Sequence, residues 1–164
     1  MIYIALGANL PSVIGPPEAT LRRVLEMLPK RGVTVEAVSP FYRSPAWPKE
    51  SDPPFINAVA RVRTKLGPGD LMRLLLQIEI ECGRKRGLKW APRTLDLDII
   101  DYAGLVTDAP HLMLPHPQMH ERKFVLRPLI DIAPGWRHPV TGEPAADLLK
   151  IVGEEGLERV EFAP

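Results

Sequence analysis

Two aspartates, Asp96 and Asp98, lie two residues apart in an apolar stretch. Residues two apart in a β-strand point to the same face, so the spacing predicts both carboxylates on one face and Leu95, Leu97 and Ile99 on the other. Two like charges on one face repel each other unless a cation lies between them. Hard divalent cations such as Mg²⁺ prefer carboxylate oxygens and also bind substrate phosphates. The pair is therefore a candidate metal site, and a solvated edge strand is the alternative.

The ten residues 84–93, immediately before this strand, hold five cations and no acid. Arginine matches phosphate oxygens and tryptophan offers a stacking surface, so Arg84, Arg86 and Arg93 with Trp90 predict an anion site. Arginines and metal-bound carboxylates together could hold a polyphosphate, since phosphoryl transfer needs mainly positioning and charge neutralisation. A solvated basic loop is the alternative. The chain has no Gly-rich Walker A sequence, so nucleotide binding would need another scheme.

Several single residues have both a chemical and a structural interpretation. Phe55 and Asn57 alternate along one predicted strand face, where an aromatic ring beside an amide suits a flat heterocycle; a core Phe and a turn-bound Asn are the alternative. His116 follows a proline and is typical of an exposed turn. No H-x-E or C-x-x-C spacing indicates a zinc site. The single cysteine, Cys82, is expected to be a small apolar residue near a helix end.

One stripe of a predicted helix joins Met72, Leu76 and Glu79 at positions i, i+4 and i+7. Core packing is the ordinary interpretation of the two apolar members. Glu79 lies on the same stripe and close to the basic loop. It could instead accept a hydrogen bond from the base edge or the ribose of a nucleotide.

Composition limits the classes of protein that the chain can form. Its 164 residues correspond to one domain, 1–164, and its net charge of +1 gives no overall attraction to nucleic acid or membrane. A single cysteine allows no disulfide within the chain, which fits a reducing, cytoplasmic compartment. The N-terminus has no charged leader and no stretch is long enough to cross a membrane. No obligate protein partner is evident.

The positions of apolar residues predict the elements that would hold these side chains. The expected strands and helices, in chain order, are strand 2–6, helix 16–32, strand 33–44, strand 55–66, helix 67–83, the strand with the two aspartates, a helix within 115–134, a short helix 145–152 and a strand 157–162. The order β-α-β-β-α-β predicts an α+β, ferredoxin-like βαββαβ sandwich, an antiparallel sheet flanked by helices, with the two main helices on one face. Asp101 is expected on the face opposite Asp98.

The sequence resembles the 6-hydroxymethyl-7,8-dihydropterin pyrophosphokinases of folate biosynthesis over nearly its whole length. The matching segments are "IALGANL", "FYRSP", "FINA", "GRKRGLKWAPRTLDLDI", "LPHPQMHERKFVLRPL" and "IAPG", of which "PRTLDLDI" is the most specific. The resemblance implies a ferredoxin-like enzyme that binds two Mg²⁺ ions, ATP and the pterin. It implies that the pterin hydroxymethyl oxygen attacks the β-phosphorus of ATP and that AMP leaves.

The resemblance also assigns roles to residues. The implied catalytic residues are Arg84, Arg93, Asp96 and Asp98, and the two aspartates are the implied metal ligands. The implied ATP-binding residues are Met72, Glu79, Arg84, Arg86, Trp90, Arg93, Ile99, His116 and Arg122. The implied pterin-binding residues are Ser44, Pro45, Trp47, Phe55, Asn57, Trp90 and Phe124, with Phe55 and Phe124 on the two faces of the ring.

This chain departs from the family pattern at five positions. Ala8 replaces a usual Ser, and Phe55 stands where Tyr is common. Leu76, His111 and Pro117 replace residues that are polar or aromatic in some members, which affects contacts to ATP. An RNA-binding module on the same fold is the rival hypothesis, but "RVRTKL" and "IYIALG" lack its aromatic signature. A non-catalytic nucleotide sensor is a second rival, and it would not need paired metal carboxylates.

Overall fold

The computed structural model describes residues 1–46, 51, 53–83 and 95–161. The strands are β1 (Ile2–Ala8), β2 (Val33–Val38), β3 (Phe41–Ser44), β4 (Phe55–Thr64), β5 (Asp96–Tyr102), β6 (Thr107–Ala109), β7 (Leu112–Leu114) and β8 (Glu158–Val160). The helices are α1 (Pro17–Met27), α2 (Pro68–Glu81), α3 (Lys123–Ile132) and α4 (Ala145–Val152). Short 3₁₀ turns span Pro29–Arg31 and Met119–Glu121.

The main sheet is antiparallel and has the order β5-β1-β4-β3-β8, with β2 also paired to β4. The segment predicted as one strand, 33–44, therefore forms two strands, β2 and β3, which both pair with β4. The break falls at Ser39, whose backbone N–H donates to the Val59 carbonyl at 2.9 Å while its hydroxyl accepts from the Val59 N–H at 2.9 Å. Pro40 cannot donate to the ladder, which explains why regular pairing stops there. The α+β class and the βαββαβ order of the core are confirmed.

Two hydrophobic cores lie on opposite faces of the sheet. The first packs α1 and α2 on one face, where Ile4, Leu6 and Ile56 are buried. The second packs α3 and α4 on the other, around Tyr3 and Val59. The prediction that helices cover one face was incomplete, because these apolar residues on the second face also need cover. The short helix predicted at 145–152 is confirmed as α4. None of the helices in the described ranges is long and apolar enough to cross a lipid bilayer.

Helix α2 buries a different stripe from the predicted one. Leu71, Leu75 and Ile78 are fully buried, followed by Cys82, whereas Leu76 is 39% exposed. The prediction of core packing is confirmed for Met72, which packs against the first core, and is wrong for Leu76. The leucine run fits two adjacent stripes, and the longer one faces the sheet. Cys82 lies at the end of the helix as expected, and burial raises the pKa of its thiol.

A β-bulge in β5 changes the face of its last aspartate. Tyr3 pairs with Asp101 but Ile4 pairs with Ile99, so Ile100 is an extra residue in the ladder. Ile100 belongs to the second core, and Asp101 accepts a hydrogen bond from the indole of Trp136 in the same core. The prediction that Asp101 lies opposite Asp98 was wrong, because a simple two-residue period does not include the bulge.

Asp101→Ala is expected to lower the free energy of unfolding by about 3 kcal/mol. The buried Asp101 carboxylate accepts from Trp136 Nε1 and from the Gly104 N–H, each at 2.9 Å, and alanine leaves both donors without this partner. Urea unfolding of both proteins measures the difference. Asp108→Ala, at an exposed position of β6, is the control. Equal unfolding free energies for the two variants would contradict this assignment.

Candidate active site

The two aspartates project from β5 beside the smallest residues of β1. Asp96 lies opposite Gly7 and Asp98 lies opposite Ala5. Gly7 in turn lies opposite Asn57 on β4, and side chains of directly opposed residues share a face. Asp96, Asp98 and Asn57 therefore face one cleft, with a floor made of glycine and alanine. Its described lining residues are Ala5, Leu6, Gly7, Asn57, Ala58, Asp96, Asp98, Ile100, Arg122, Phe124 and Val125.

Asn57 lies so close to Gly7 that no larger residue fits there unchanged. A Cβ atom on Gly7 would lie 2.5 Å from Asn57 Oδ1. On its other side, the Asn57 amide donates to the hydroxyl of the buried Ser44 at 3.4 Å. Phe55 pairs with Ser44 and lies two residues before Asn57, so its half-buried side chain shares this face. The predicted aromatic and amide pair is thus confirmed in its orientation.

The start of α3 forms the opposite wall of the cleft. Phe124 lies in its first turn, and Arg122 immediately precedes the helix. The guanidinium carbon of Arg122 lies 5.7 Å from the centre of the Phe124 ring, within cation–π range. A 2.6 Å hydrogen bond from Arg122 to the Gln118 side chain fixes the same guanidinium. This brings a cation to the carboxylate end of the cleft.

His116 is held beside Asp98 in one tautomer. Its backbone N–H donates to the Ile100 carbonyl at 3.0 Å, and its Nδ1 accepts from the Gln118 N–H at 3.2 Å. The proton of the neutral ring is therefore on Nε2, which lies 3.8 Å from Asp98 Oδ2. Burial, and then the charge of Arg122, lower the pKa of His116 to about 4, although Asp96 opposes the shift. His116 is a half-buried neutral donor, and the prediction of an exposed turn residue was wrong.

Three predicted ATP-binding residues have side chains on the other face of the sheet. Ile99 is buried in the first core, and Met72 packs against that core. Glu79 is only 3% exposed, and its carboxylate accepts a 2.7 Å hydrogen bond from the Leu97 N–H. The structure therefore links Glu79 to the backbone of the strand that bears the aspartates. It does not bring these three side chains to the cleft.

Other predicted residues lie at the rim or outside the described residues. Ser44 is buried beside Asn57, and Pro45 is exposed. The predicted site residues that lie outside the described ranges are Trp47, Arg84, Arg86, Trp90 and Arg93.

Sequence reasoning missed Gly7 and Gln118. A glycine within the first strand was a usable signal, because a strand glycine often marks a close approach of another group. Gln118 had no such signal, since its role depends on the fold of the turn around His116.

A carboxylate pair, a nearby arginine and a pocket with an amide and an aromatic ring suit a phosphate-transferring enzyme, which holds a metal–phosphate group beside its acceptor. A family model described as 7,8-dihydro-6-hydroxymethylpterin-pyrophosphokinase (HPPK) matches residues 3–134. The chain belongs to this family of folate-biosynthesis enzymes.

Curated relatives are similar in sequence to this chain over most of its length. A 2-amino-4-hydroxy-6-hydroxymethyldihydropteridine pyrophosphokinase of Pseudomonas aeruginosa is 43% identical and covers 99% of this chain and 98% of its own. The enzyme of the same name from Synechocystis is 39% identical over 91% of this chain and 74% of its own. The folic acid synthesis protein fol1 of Schizosaccharomyces pombe is 35% identical, and this chain spans 21% of its length.

Solved structures with the same fold include HPPK-DHPS of Plasmodium falciparum. The wild-type protein with pteroate has a TM-score of 0.73 at 12% identity, and another wild-type structure has 0.70 at 13%. Each covers 98% of this chain, which spans 48% and 44% of the respective solved chains, about half. At this identity the likeness shows the fold alone.

Proposed function

We propose that this chain transfers diphosphate from ATP to the hydroxymethyl group of 6-hydroxymethyl-7,8-dihydropterin, requires Mg²⁺ and releases AMP. The observation that carries the proposal is the placement of Asp96 and Asp98 on the same sheet face as Asn57. One end of the cleft is acidic and suits a metal–phosphate group. The other end has an amide and aromatic rings and suits a flat heterocycle.

At the heterocycle end, Asn57 offers both a donor and an acceptor to the pterin edge. Its hydrogen bond to Ser44 and its contact with Gly7 fix the amide before any ligand binds. A fixed amide costs less entropy on binding than a mobile one. Among the residues that the structure describes, Phe55 and Phe124 are aromatic side chains available for stacking on the ring.

At the phosphate end, Asp96 and Asp98 fit a hard divalent cation by their donor type. Asp98 is 31% exposed, so an incoming metal–nucleotide complex can reach it. The described ranges contain no group of three or more His, Cys, Asp or Glu side chains that could hold a metal, so the two aspartates would need oxygens of the substrate or of water to complete the coordination of an ion. When bound to these carboxylates, two Mg²⁺ ions would neutralise the charge of the ATP phosphates.

The neutral state of His116 fits this arrangement. A protonated imidazole 3.8 Å from Asp98 would compete with a cation for the same carboxylate. The low pKa of His116 avoids this competition at neutral pH. His116 Nε2–H and the Arg122 guanidinium then remain as donors to phosphate oxygens of ATP.

The proposed reaction forms one bond and breaks one. The hydroxymethyl oxygen bonds to the β-phosphorus, and the bond from that phosphorus to the bridging oxygen of AMP breaks. The hydroxymethyl proton passes to the aspartate nearer to it. Arg84, Arg86 and Arg93, proposed from the sequence, would neutralise the phosphates, with Trp90 beside them.

Incubation of the protein with Mg²⁺, ATP and 6-hydroxymethyl-7,8-dihydropterin is expected to give AMP and pterin diphosphate in equal amounts. Chromatography with mass detection measures both products. Reactions without the pterin, or with excess EDTA, are the controls and should give no AMP. Formation of ADP in place of AMP would show an ordinary kinase and contradict the proposal.

A further inference from the structure

The turn at residues 153–157, between α4 and β8, contacts Lys123 and Pro45, the chain neighbours of Phe124 on α3 and of Ser44 on β3. It lies beyond the part of the chain that the family model matches, residues 3–134. Its sequence, "GEEGL", contains two glycines with positive φ, Gly153 and Gly156. This segment is called the C-terminal turn below. None of the candidate catalytic or binding residues lies in it.

One side of the C-terminal turn is bound to α3. The Lys123 ammonium donates a hydrogen bond to the Glu155 carbonyl oxygen. One helical turn further on, Arg127 lies 3.6 Å from the Glu154 carboxylate. Residues four apart lie on the same face of a helix, so both cations hold the turn against one face of α3. Lys123 directly precedes Phe124, which lines the cleft.

The other side of the C-terminal turn is packed against the end of β3. A Cβ atom on Gly156 would lie 3.2 Å from Pro45 Cδ and 3.3 Å from Pro45 Cγ, closer than ordinary side-chain contacts. The strand that follows, β8, pairs with β3, and Glu158 lies 3.6 Å from Arg43. Pro45 directly follows Ser44, the hydrogen-bond partner of Asn57.

The far end of α3 has a separate link to β3. The Tyr42 hydroxyl donates to Asp131 near the C-terminal end of the helix, and Arg127 donates to the same carboxylate at 2.8 Å. This link does not reach the first turn of the helix, where Phe124 lies. The C-terminal turn supplies a contact between α3 and β3 at that first turn.

We infer that the C-terminal turn is a positioning element for the heterocycle. It sets the separation between the Phe124 wall on α3 and the Ser44–Pro45 wall on β3. The inference rests on the proposed function, since it assumes that the pterin binds between these walls. A shift of the turn would change the fit of the heterocycle while leaving the Asp96 and Asp98 end unchanged.

Gly156→Ala is expected to raise the KM for the pterin about tenfold while the KM for ATP and kcat stay within about twofold. The added methyl group pushes on Pro45, and the positive φ of 77° strains an alanine backbone. Gly142→Ala is the matched control, because Gly142 has a φ of 73° and no atom within 4 Å of the built Cβ. The control should show no change in either KM.

Lys123→Met tests the other side of the turn without a backbone change. It removes the hydrogen bond to Glu155 but keeps an unbranched, mostly apolar side chain. It should raise the pterin KM about threefold with an unchanged ATP KM. Lys150→Met, at an exposed position of α4, is its control. If Gly156→Ala does not fold, Lys123→Met alone tests the positioning role of the C-terminal turn.

The positioning role and the proposed function are contradicted by different results. An active wild-type protein together with unchanged pterin KM values in both variants would overturn the positioning role alone. Equal rises in the KM for ATP and for the pterin would also overturn it, since they would indicate a change in the whole site and not in its pterin end. A wild-type protein that does not turn over the pterin would overturn the proposed function, and the inference with it.

Discussion

Asp98→Asn is expected to lower kcat on the order of 10³-fold while changing the free energy of unfolding by less than about 0.5 kcal/mol. Asparagine keeps the size of the side chain but loses the charge that would hold a metal–phosphate complex. Asp98 is 31% exposed, so the fold has little dependence on this charge. Steady-state AMP formation and urea unfolding measure the two quantities.

Asp108→Asn is the control for this change, because Asp108 is exposed on β6, outside the cleft. It should leave both kcat and stability unchanged. Binding of the pterin to the Asp98 variant should persist, since Asn57 and Phe124 are untouched. AMP formation by Asp98→Asn at near the wild-type rate would show that Asp98 is not a metal ligand.

Gly7→Ala is expected to lower kcat/KM for the pterin about 10²-fold. The new methyl group would lie 2.5 Å from Asn57 Oδ1, so the amide must move away from the edge that it presents to the heterocycle. The backbone itself does not require glycine here, because Gly7 is a paired strand residue without a positive φ. The effect should therefore come through Asn57. Initial rates at varied pterin concentrations measure it.

A double-mutant cycle isolates this route. If Gly7→Ala acts by displacing Asn57, it should have almost no further effect in the Asn57→Ala background. Gly135→Ala is the matched single control, because Gly135 has open space around its built Cβ and no positive φ. Additive losses from Gly7→Ala and Asn57→Ala would reject the steric explanation.

The sequence alone was sufficient to predict the face on which the central polar residues lie. Strand alternation correctly placed Asp96 and Asp98 away from Leu95, Leu97 and Ile99. It failed three residues later, at Asp101, because one extra residue in an antiparallel ladder reverses the order of the faces after it. Such an insertion depends on the neighbouring strand, whose register a single strand pattern does not contain.

The buried face of helix α2 could not be predicted from the spacing of its apolar residues alone. Two apolar stripes, one through Leu75 and one through Leu76, satisfied the spacing equally over most of the helix. The packing against the sheet separates them, since Leu75 is fully buried in the first core whereas Leu76 is 39% exposed. Burial of Glu79 could not be predicted either, because its partner is a backbone N–H of β5, which is distant in sequence.

Strand β1 lies between β5 and β4 and so fixes the distance between the two ends of the cleft. Asp96 and Asn57 flank Gly7 from two sides, so they are separated by two strand spacings, roughly 9.5 Å between backbones. The two antiparallel ladders that join β5 to β1 and β1 to β4 hold that spacing. The sheet would thus act as a ruler between the heterocycle and the reacting phosphorus. On the proposed function, an analogue with an arm longer than one carbon is expected to carry its hydroxyl past the reacting position.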